Sequence, residues 1–216
     1  MTQPRFRPPQ QHRSQLTLDR ILDAAERVLD AKSFTEATLV EIMEQAGVTV
    51  GAFYRRFPDK DALLHLMDER FFAELYARGD AVLDPGRWPN ARIADIVREF
   101  TREAVIVYRE RRGLLRSLFL RARIDPVIQE TARQVNAHLI RRLLEILLPR
   151  AEEIRHPNPP RAIELGYMVL VGGLRETMLF GEVWPTANIA DGMDLGDELA
   201  RVYLGYLGVS HSWQVG

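Results

Sequence analysis

Between Thr38 and Leu64 the chain reads TLVEIMEQAGVTVGAFYRRFPDKDALL, a run with few ways to fold. Thr38 and Glu41 stand at the hydroxyl-to-carboxylate spacing of a capping box, so a helix opens behind Thr38. Gly47 closes it, as the residue able to take a left-handed backbone just past a helix end. Thr49 caps a second short helix through Val50, Ala52, Phe53, Tyr54 and Arg55. That helix stops before Pro58, because proline pushes its predecessor out of helical geometry. Two short helices around a tight glycine-bearing turn form a helix-turn-helix, in which the second helix enters the major groove of DNA. Ile42, Ala46, Val48 and Phe53 are the apolar positions that fix the angle between the helices. Thr49, Val50, Gly51, Tyr54 and Arg55 remain outward.

The flanks are helical too. From Thr17, taken as an N-cap, to Ala31 the apolar residues Leu18, Ile21, Leu22, Ala25, Val28 and Leu29 share one face, with charged residues opposite. Asp59 caps a long helix over 60–81 that carries Leu63, Leu64, Met67, Phe71 and Leu75 inward. After Asp84-Pro85-Gly86 come long helical segments over 90–110, 114–123, 126–150, 160–181 and 194–207. Their breaks fall at Gly113, at Asp125-Pro126 with proline in the first helical position, at His156 to Pro160, and at Trp184-Pro185. No strand alternation and no internal repeat is visible. The expected fold is all-α with about nine helices: a basic, flexible arm over 1–15, a three-helix helix-turn-helix domain over 16–62, and a larger helical domain over 63–216.

Composition narrows the chemistry. The absence of cysteine rules out disulfides, thiolate zinc sites and cysteine nucleophiles. His12, His65, His138, His156 and His211 form no His-Glu-x-x-His or His-x-x-x-His metal pair, and no glycine-rich phosphate loop is present. The expectation is no metal, no cofactor and no enzymatic activity. The amino terminus lacks the apolar core of a secretory signal, and no apolar run is long enough to cross a bilayer, so a cytoplasmic protein without a membrane partner is expected. The formal net charge of −1 does not suit a protein that coats nucleic acid, yet it permits local positive charge at a specific site. Arg5, Arg7 and Arg13 make the arm basic, either as a DNA-contacting extension or as a solvated tail.

The Ile21-Leu22-Asp23-Ala24-Ala25 opening, the Thr38…Ile42…Ala46-Gly47-Val48 turn and the Phe53-Tyr54-Arg55-Arg56-Phe57-Pro58-Asp59-Lys60…Ala62-Leu63-Leu64 run together resemble the amino-terminal domain of the TetR family of transcriptional regulators. The resemblance covers about a third of the chain as motif. It implies a DNA interface. Thr38 and Thr49 would hold phosphates at helix N-termini, Tyr54 and Lys60 would each reach a phosphate, and Val50 and Gly51 would face the bases. Arg55 and Arg56 would reach phosphates, with guanine as the alternative. Caps, core aromatics and solvated side chains are the plainer reading of each position. Ala52 departs from the family's usual hydroxyl, and Met43 from its usual small residue. Val50 offers only apolar contact, best suited to a thymine methyl, so sequence preference would lean on thymine methyls and DNA shape.

For the larger domain the resemblance implies dimerisation and ligand binding. The apolar, glycine-bearing segment Arg161 to Phe180, with Leu199 to Leu207, is the candidate dimer interface, through Tyr167, Leu170, Leu174, Tyr203 and Leu207. The alternative is that this segment is the central core helix of a monomer. Tyr108, Phe119, His138, Met168 and Met178 are the candidate lining of an effector pocket. The implied partners are double-stranded DNA with a palindromic operator, a second copy of the chain, and a small-molecule effector of unknown identity. The effector would release a homodimeric repressor by favouring a body arrangement that swings the helix after Lys60 and respaces the heads. A ligand-independent DNA-binding regulator or architectural protein is the alternative.

Overall fold

The computed structural model describes residues 12–181 and 195–210. Among them are nine α-helices and no strand: α1 (His12–Ala31), α2 (Leu39–Ala46), α3 (Val50–Tyr54), α4 (Lys60–Val82), α5 (Ile93–Glu110), α6 (Arg112–Arg121), α7 (Pro126–Leu147), α8 (Pro159–Leu174) and α9 (Leu195–Leu207). None of these helices is long and apolar enough to cross a membrane. The chain divides into two compact units, Met1–Ala73 with Arg111–Ile128, and Glu74–Glu110 with Gln129–Gly216.

In the first unit, α1 packs on α2 and α6 through the face made by Leu18, Ile21, Leu22, Ala25, Val28 and Leu29, all buried. Full burial of each larger aliphatic chain in that face stabilises the unit by roughly 1.5–3 kcal/mol. Three expectations from sequence need correction here. Helix α1 begins at His12, so Thr17 lies inside it rather than capping it, and residues 12–15 of the supposed arm are helical. Residues 1–11, with Arg5 and Arg7, lie outside the described residues. Gly113 is not a break but part of α6, which joins this unit rather than the larger one. A Cβ on Gly113 would stand 2.4 Å from the backbone carbonyl of Leu29, so glycine is what lets the two helix backbones meet. The contact is held by the Gly113 N–H donating to Asp30 Oδ1 at 2.8 Å and by the Arg111–Glu26 ion pair at 2.6 Å.

In the same unit, Asp68 of α4 is buried and accepts from both Nη atoms of Arg121, at 2.8 and 2.7 Å. Loss of water around Asp68 still pushes its carboxyl above the ordinary carboxylate range, against the pull of Arg121.

The second unit is organised around α5, α8 and α9, which pack on one another. The Tyr203 ring fills the notch left by Gly166, where a Cβ would come within 1.9 Å of Tyr203 Cε2. The Tyr203 hydroxyl donates to the Ile163 carbonyl at 2.6 Å. Helix α7 ends at Leu147, earlier than the segment read to 150, because Pro149 has no N–H to continue the ladder; the chain goes on as a 3-10 turn, Leu148–Glu153. Helix α8 gives way after Leu174 to a single wider π turn, Arg175–Leu179.

This packing corrects the dimer assignment. Tyr167, Leu170, Leu174, Tyr203 and Leu207 are all buried within the single chain and have no surface to offer a partner. They lie on the inward faces of α8 and α9. The apolar residues left in water on these helices are Met168, Val169, Val202 and Tyr206. Gly172 and Gly205 add places where a Cβ would meet nothing within 4 Å. The sequence shows α8 as apolar around most of its circumference; it does not show which side its own chain uses.

Candidate nucleic-acid interface

Helix α2 is set by its two ends. The Thr38 hydroxyl oxygen accepts from the Glu41 N–H at 3.2 Å, and Glu41 Oε2 accepts from the Thr38 N–H at 3.1 Å, completing the capping box. Glu41 also pairs with Lys32. The Lys32 ammonium, then the Thr38 N–H and hydroxyl, hold the Glu41 carboxyl down at about 2. At the other end Gly47 has φ 61°, and the N–H of Val48 reaches back to the Met43 carbonyl at 3.1 Å. These bonds use up the end groups of α2 and turn the chain sharply into α3.

Helix α3 is anchored from beneath by aromatics. Phe53 and Phe57 are fully buried with ring centroids 5.3 Å apart, and Tyr54 stands edge-on to Phe53 at 5.5 Å. Ile42, Met43 and Ala46 of α2 are buried as well. With its inner side fixed, α3 presents Thr49, Val50, Gly51, Tyr54 and Arg55 to water. The Thr49 hydroxyl oxygen accepts from the Ala52 N–H at 3.2 Å, which leaves its proton for an outside acceptor. By contrast the Thr38 hydroxyl also donates to Glu41 Oε2, at 3.0 Å, so a phosphate there must compete with a carboxylate. The Tyr54 hydroxyl makes no hydrogen bond among the described residues, and a Cβ on Gly51 would meet nothing within 4 Å. A nucleic-acid backbone or base edge can therefore approach α3 closely at this point.

Two of the proposed phosphate contacts have other occupations. Lys60 donates to the carbonyls of Phe34 and Ala37, and its ammonium lies 4.2 Å from the centre of the Phe34 ring. Burial lowers its pKa. Arg56 is half-buried; Nη1 donates to the Ala52 carbonyl at 3.1 Å and Nη2 to the hydroxyl of Ser14 at 2.7 Å and its carbonyl at 3.1 Å. Its buried Nε has no hydrogen-bond partner among the described residues. Arg56 thus holds the end of α3 against the start of α1. Phe34 and Ser14 have no distinguishing pattern in the sequence. Val40 is another exposed apolar residue, on the first turn of α2, and its signal was present: a β-branched side chain on the polar side of a capped helix.

The residues read as an effector pocket are divided between the two units and differ in exposure. Phe119 belongs to the first unit and the other four to the second. Met168 faces water. His138 is held between Asp80, to which Nε2 is bonded at 2.8 Å, and the Arg141 guanidinium, which donates to Nδ1 at 2.8 Å. Met178 is half-buried in the π turn. Tyr108 is buried, its phenol pushed up by loss of water. The polar interior near it is completed by Tyr167, whose hydroxyl donates to Asn136 Oδ1 at 2.6 Å.

Residues 21–67 match the family model of the bacterial regulatory proteins of the tetR family. No match was found among curated proteins. Among solved structures, the chain is similar to a tetR-family bacterial regulatory protein from Rhodococcus RHA1, with a TM-score of 0.69 and 17% identity over 90% of this chain and 98% of that one. GusR of Salmonella enterica follows at TM-score 0.62 and 18% identity, covering 89% of this chain and 95% of that one. The regulator FadR of Bacillus subtilis, solved in complex with stearoyl-CoA, gives 0.61 and 18%, covering 89% of this chain and 99% of that one. At these identities the likeness is one of fold across nearly the whole chain.

Proposed function

With a tetR-family head and the fold of that family's regulators as premises, we propose that this chain is a sequence-specific DNA-binding transcriptional regulator, a homodimeric repressor released from its operator by a small molecule. The observation that carries the reading is the outward face of α3. Thr49, Val50, Gly51 and Tyr54 stand in water on a helix whose other side is fixed by Phe53 and Phe57, within the stretch that the family model matches. Thr49 and Tyr54 supply hydroxyl protons for phosphates, and Val50 an apolar contact for a base edge. A single head makes few such contacts, and two heads spaced about 34–36 Å apart would read one face of the duplex. Met168, Val169, Val202 and Tyr206 supply an apolar face for the second copy.

Release by an effector requires that the molecule prefer a conformation with low operator affinity. A full switch takes about 5.5 kcal/mol of preference, and a partial one proportionally less. The test is selection of bound fragments from a random DNA pool by the full chain. The expected result is an enriched palindrome with half-sites one helical turn apart. Absence of enrichment at low salt would overturn the reading.

A further inference from the structure

The loop between α1 and α2 carries one aromatic side chain, the half-buried Phe34, which has no part in the outward face of α3. The loop is closed on itself. The N–H groups of Glu36 and Ala37 donate to the Ser33 carbonyl at 3.1 and 3.0 Å, and the Ser33 N–H and hydroxyl donate to the Glu36 carboxylate at 3.0 and 2.6 Å. Phe34 and Ala37 are thus held in one tight turn. Ala37 is buried and directly precedes Thr38, the cap of α2.

Two cations meet at the Phe34 ring. The Lys60 ammonium lies 4.2 Å from its centre and the Arg121 guanidinium carbon 5.7 Å. At these distances the face of a ring attracts a cation. The two come from different elements, since Lys60 opens α4 and Arg121 closes α6. Arg121 is fixed by Asp68 through both Nη atoms and by Ser117 through Nε at 3.2 Å. Lys60 is fixed by the Phe34 and Ala37 carbonyls. Their like charges are offset locally. Asp68 neutralises Arg121, with His65 and Asp125 also near that carboxyl, and Asp61 and Glu41 stand near Lys60. A continuous line of contacts therefore runs from Asp68 through Arg121, the Phe34 ring and Lys60 to the Ala37 carbonyl.

We propose that Phe34 is a positioning residue for operator binding: its ring couples Arg121 of α6 to Lys60, and through the Ala37 carbonyl it sets the cap of α2 and so the seat of α3. The consequence for the operator rests on the DNA-binding reading, but the coupling itself is measured without DNA.

The test is NMR of the full chain carrying labelled lysine. The chain has two lysines, Lys32 and Lys60, so each is read separately. In the parent the Lys60 ε-methylene protons should lie upfield of those of Lys32, shielded by the ring. They should stay there in F34Y and join Lys32 in F34L. R121K keeps a charge beside Asp68 and loses the flat guanidinium. It should move the amide signals of Thr38 and Glu41 when position 34 is Phe and leave them in place when it is Leu, as a double-mutant cycle requires of a coupled pair. On the selected operator, F34L should bind about fivefold more weakly and F34Y within about twofold of the parent. If F34L does not fold, Phe34→pentafluorophenylalanine replaces it in the cycle and in operator binding, with nearly the same shape and a face no longer negative. Lys60 signals unshifted in the parent, an R121K effect equal in both backgrounds, or parent affinity in F34L would each overturn the proposal. If no operator is selected, the DNA-binding reading fails while the lysine and amide signals still decide the coupling.

Discussion

Replacing Val169 by aspartate should turn the proposed dimer into a folded monomer. In the single chain Met168, Val169, Val202 and Tyr206 are 61, 46, 55 and 39% exposed. Full burial of such side chains is worth roughly 1.5–3 kcal/mol each, so covering what remains contributes about 4 kcal/mol per protomer. A two-fold interface uses the patch twice, which gives about 8 kcal/mol in total. Association itself costs about 4–15 kcal/mol, so these four side chains alone do not reach the roughly 8 kcal/mol of a micromolar dimer, and the rest of the interface must contribute. V169D removes about 1 kcal/mol from each copy and leaves two carboxylates without partners, at several kcal/mol more. A net loss of about 5 kcal/mol raises the dissociation constant by between three and four orders of magnitude. Sedimentation velocity at low micromolar concentration reads this directly. The parent should run as a dimer and V169D as a monomer with unchanged helicity. Leu170 is the control, since it is buried inside the chain. L170A should lower stability by about 2–5 kcal/mol yet stay dimeric below its melting point. A dimeric V169D, or a folded but monomeric L170A, would refute the assignment of outer and inner faces.

Four further results follow from the first unit. G113A should lose about 3 kcal/mol, at the upper end of overpacking, because a Cβ there would be 2.4 Å from backbone rather than from a movable side chain. G51A should match or exceed the parent by up to about 1 kcal/mol, since its Cβ meets nothing and alanine favours helix; chemical denaturation of the pair checks both. The Glu41 carboxyl is held below its unfolded value, so its contribution is complete above the ordinary 4.5 and is lost as pH falls through about 2. Amide signals of Thr38 and Glu41 should therefore titrate with a midpoint near 2, and a midpoint near 4.5 would contradict the pairing of Glu41 with Lys32 first and with the Thr38 groups second. K60M should lower both the melting temperature and operator affinity, because the ammonium binds the Phe34 and Ala37 carbonyls. A side chain that served only a phosphate would instead reduce the salt slope by about one and leave melting unchanged.

The head was legible from sequence because its signals are local. A capping box, a left-handed glycine and a proline stop each depend on residues within a few positions, and all appear where the pattern of residue types puts them. The errors came where the deciding partner is distant in the chain. Gly113 looks like a helix breaker until Leu29, more than eighty residues earlier, is seen against it. Helix α8 looks two-sided until Tyr203 occupies the notch at Gly166 and fixes the inner face. Residue type alone marks Tyr108, Phe119, His138, Met168 and Met178 as pocket-like, and it does not say that Met168 faces water or that His138 is held by Asp80 and Arg141.

Lys60 and Arg56 show how a site residue can also be a structural one. A lysine has three N–H donors, and Lys60 places two on carbonyls, the second being that of Ala37, immediately before the cap of α2. Arg56 does the equivalent at the other side, joining the end of α3 to Ser14 at the start of α1. Both cations therefore set the positions of the threonine caps and of α3 whether or not DNA is present. The groups open to an outside acceptor are different ones, the Thr49 hydroxyl proton, the Tyr54 hydroxyl and Arg55, and they lie on α3 or at its two caps. Among the described residues, Lys60 and Arg56 thus act on the head's own backbone, which leaves Arg55 open beside the neutral donors Thr49 and Tyr54 and the bare apolar tip at Val50 and Gly51. Operator affinity should on that account depend less steeply on salt than in a head that binds phosphates through free lysines and arginines.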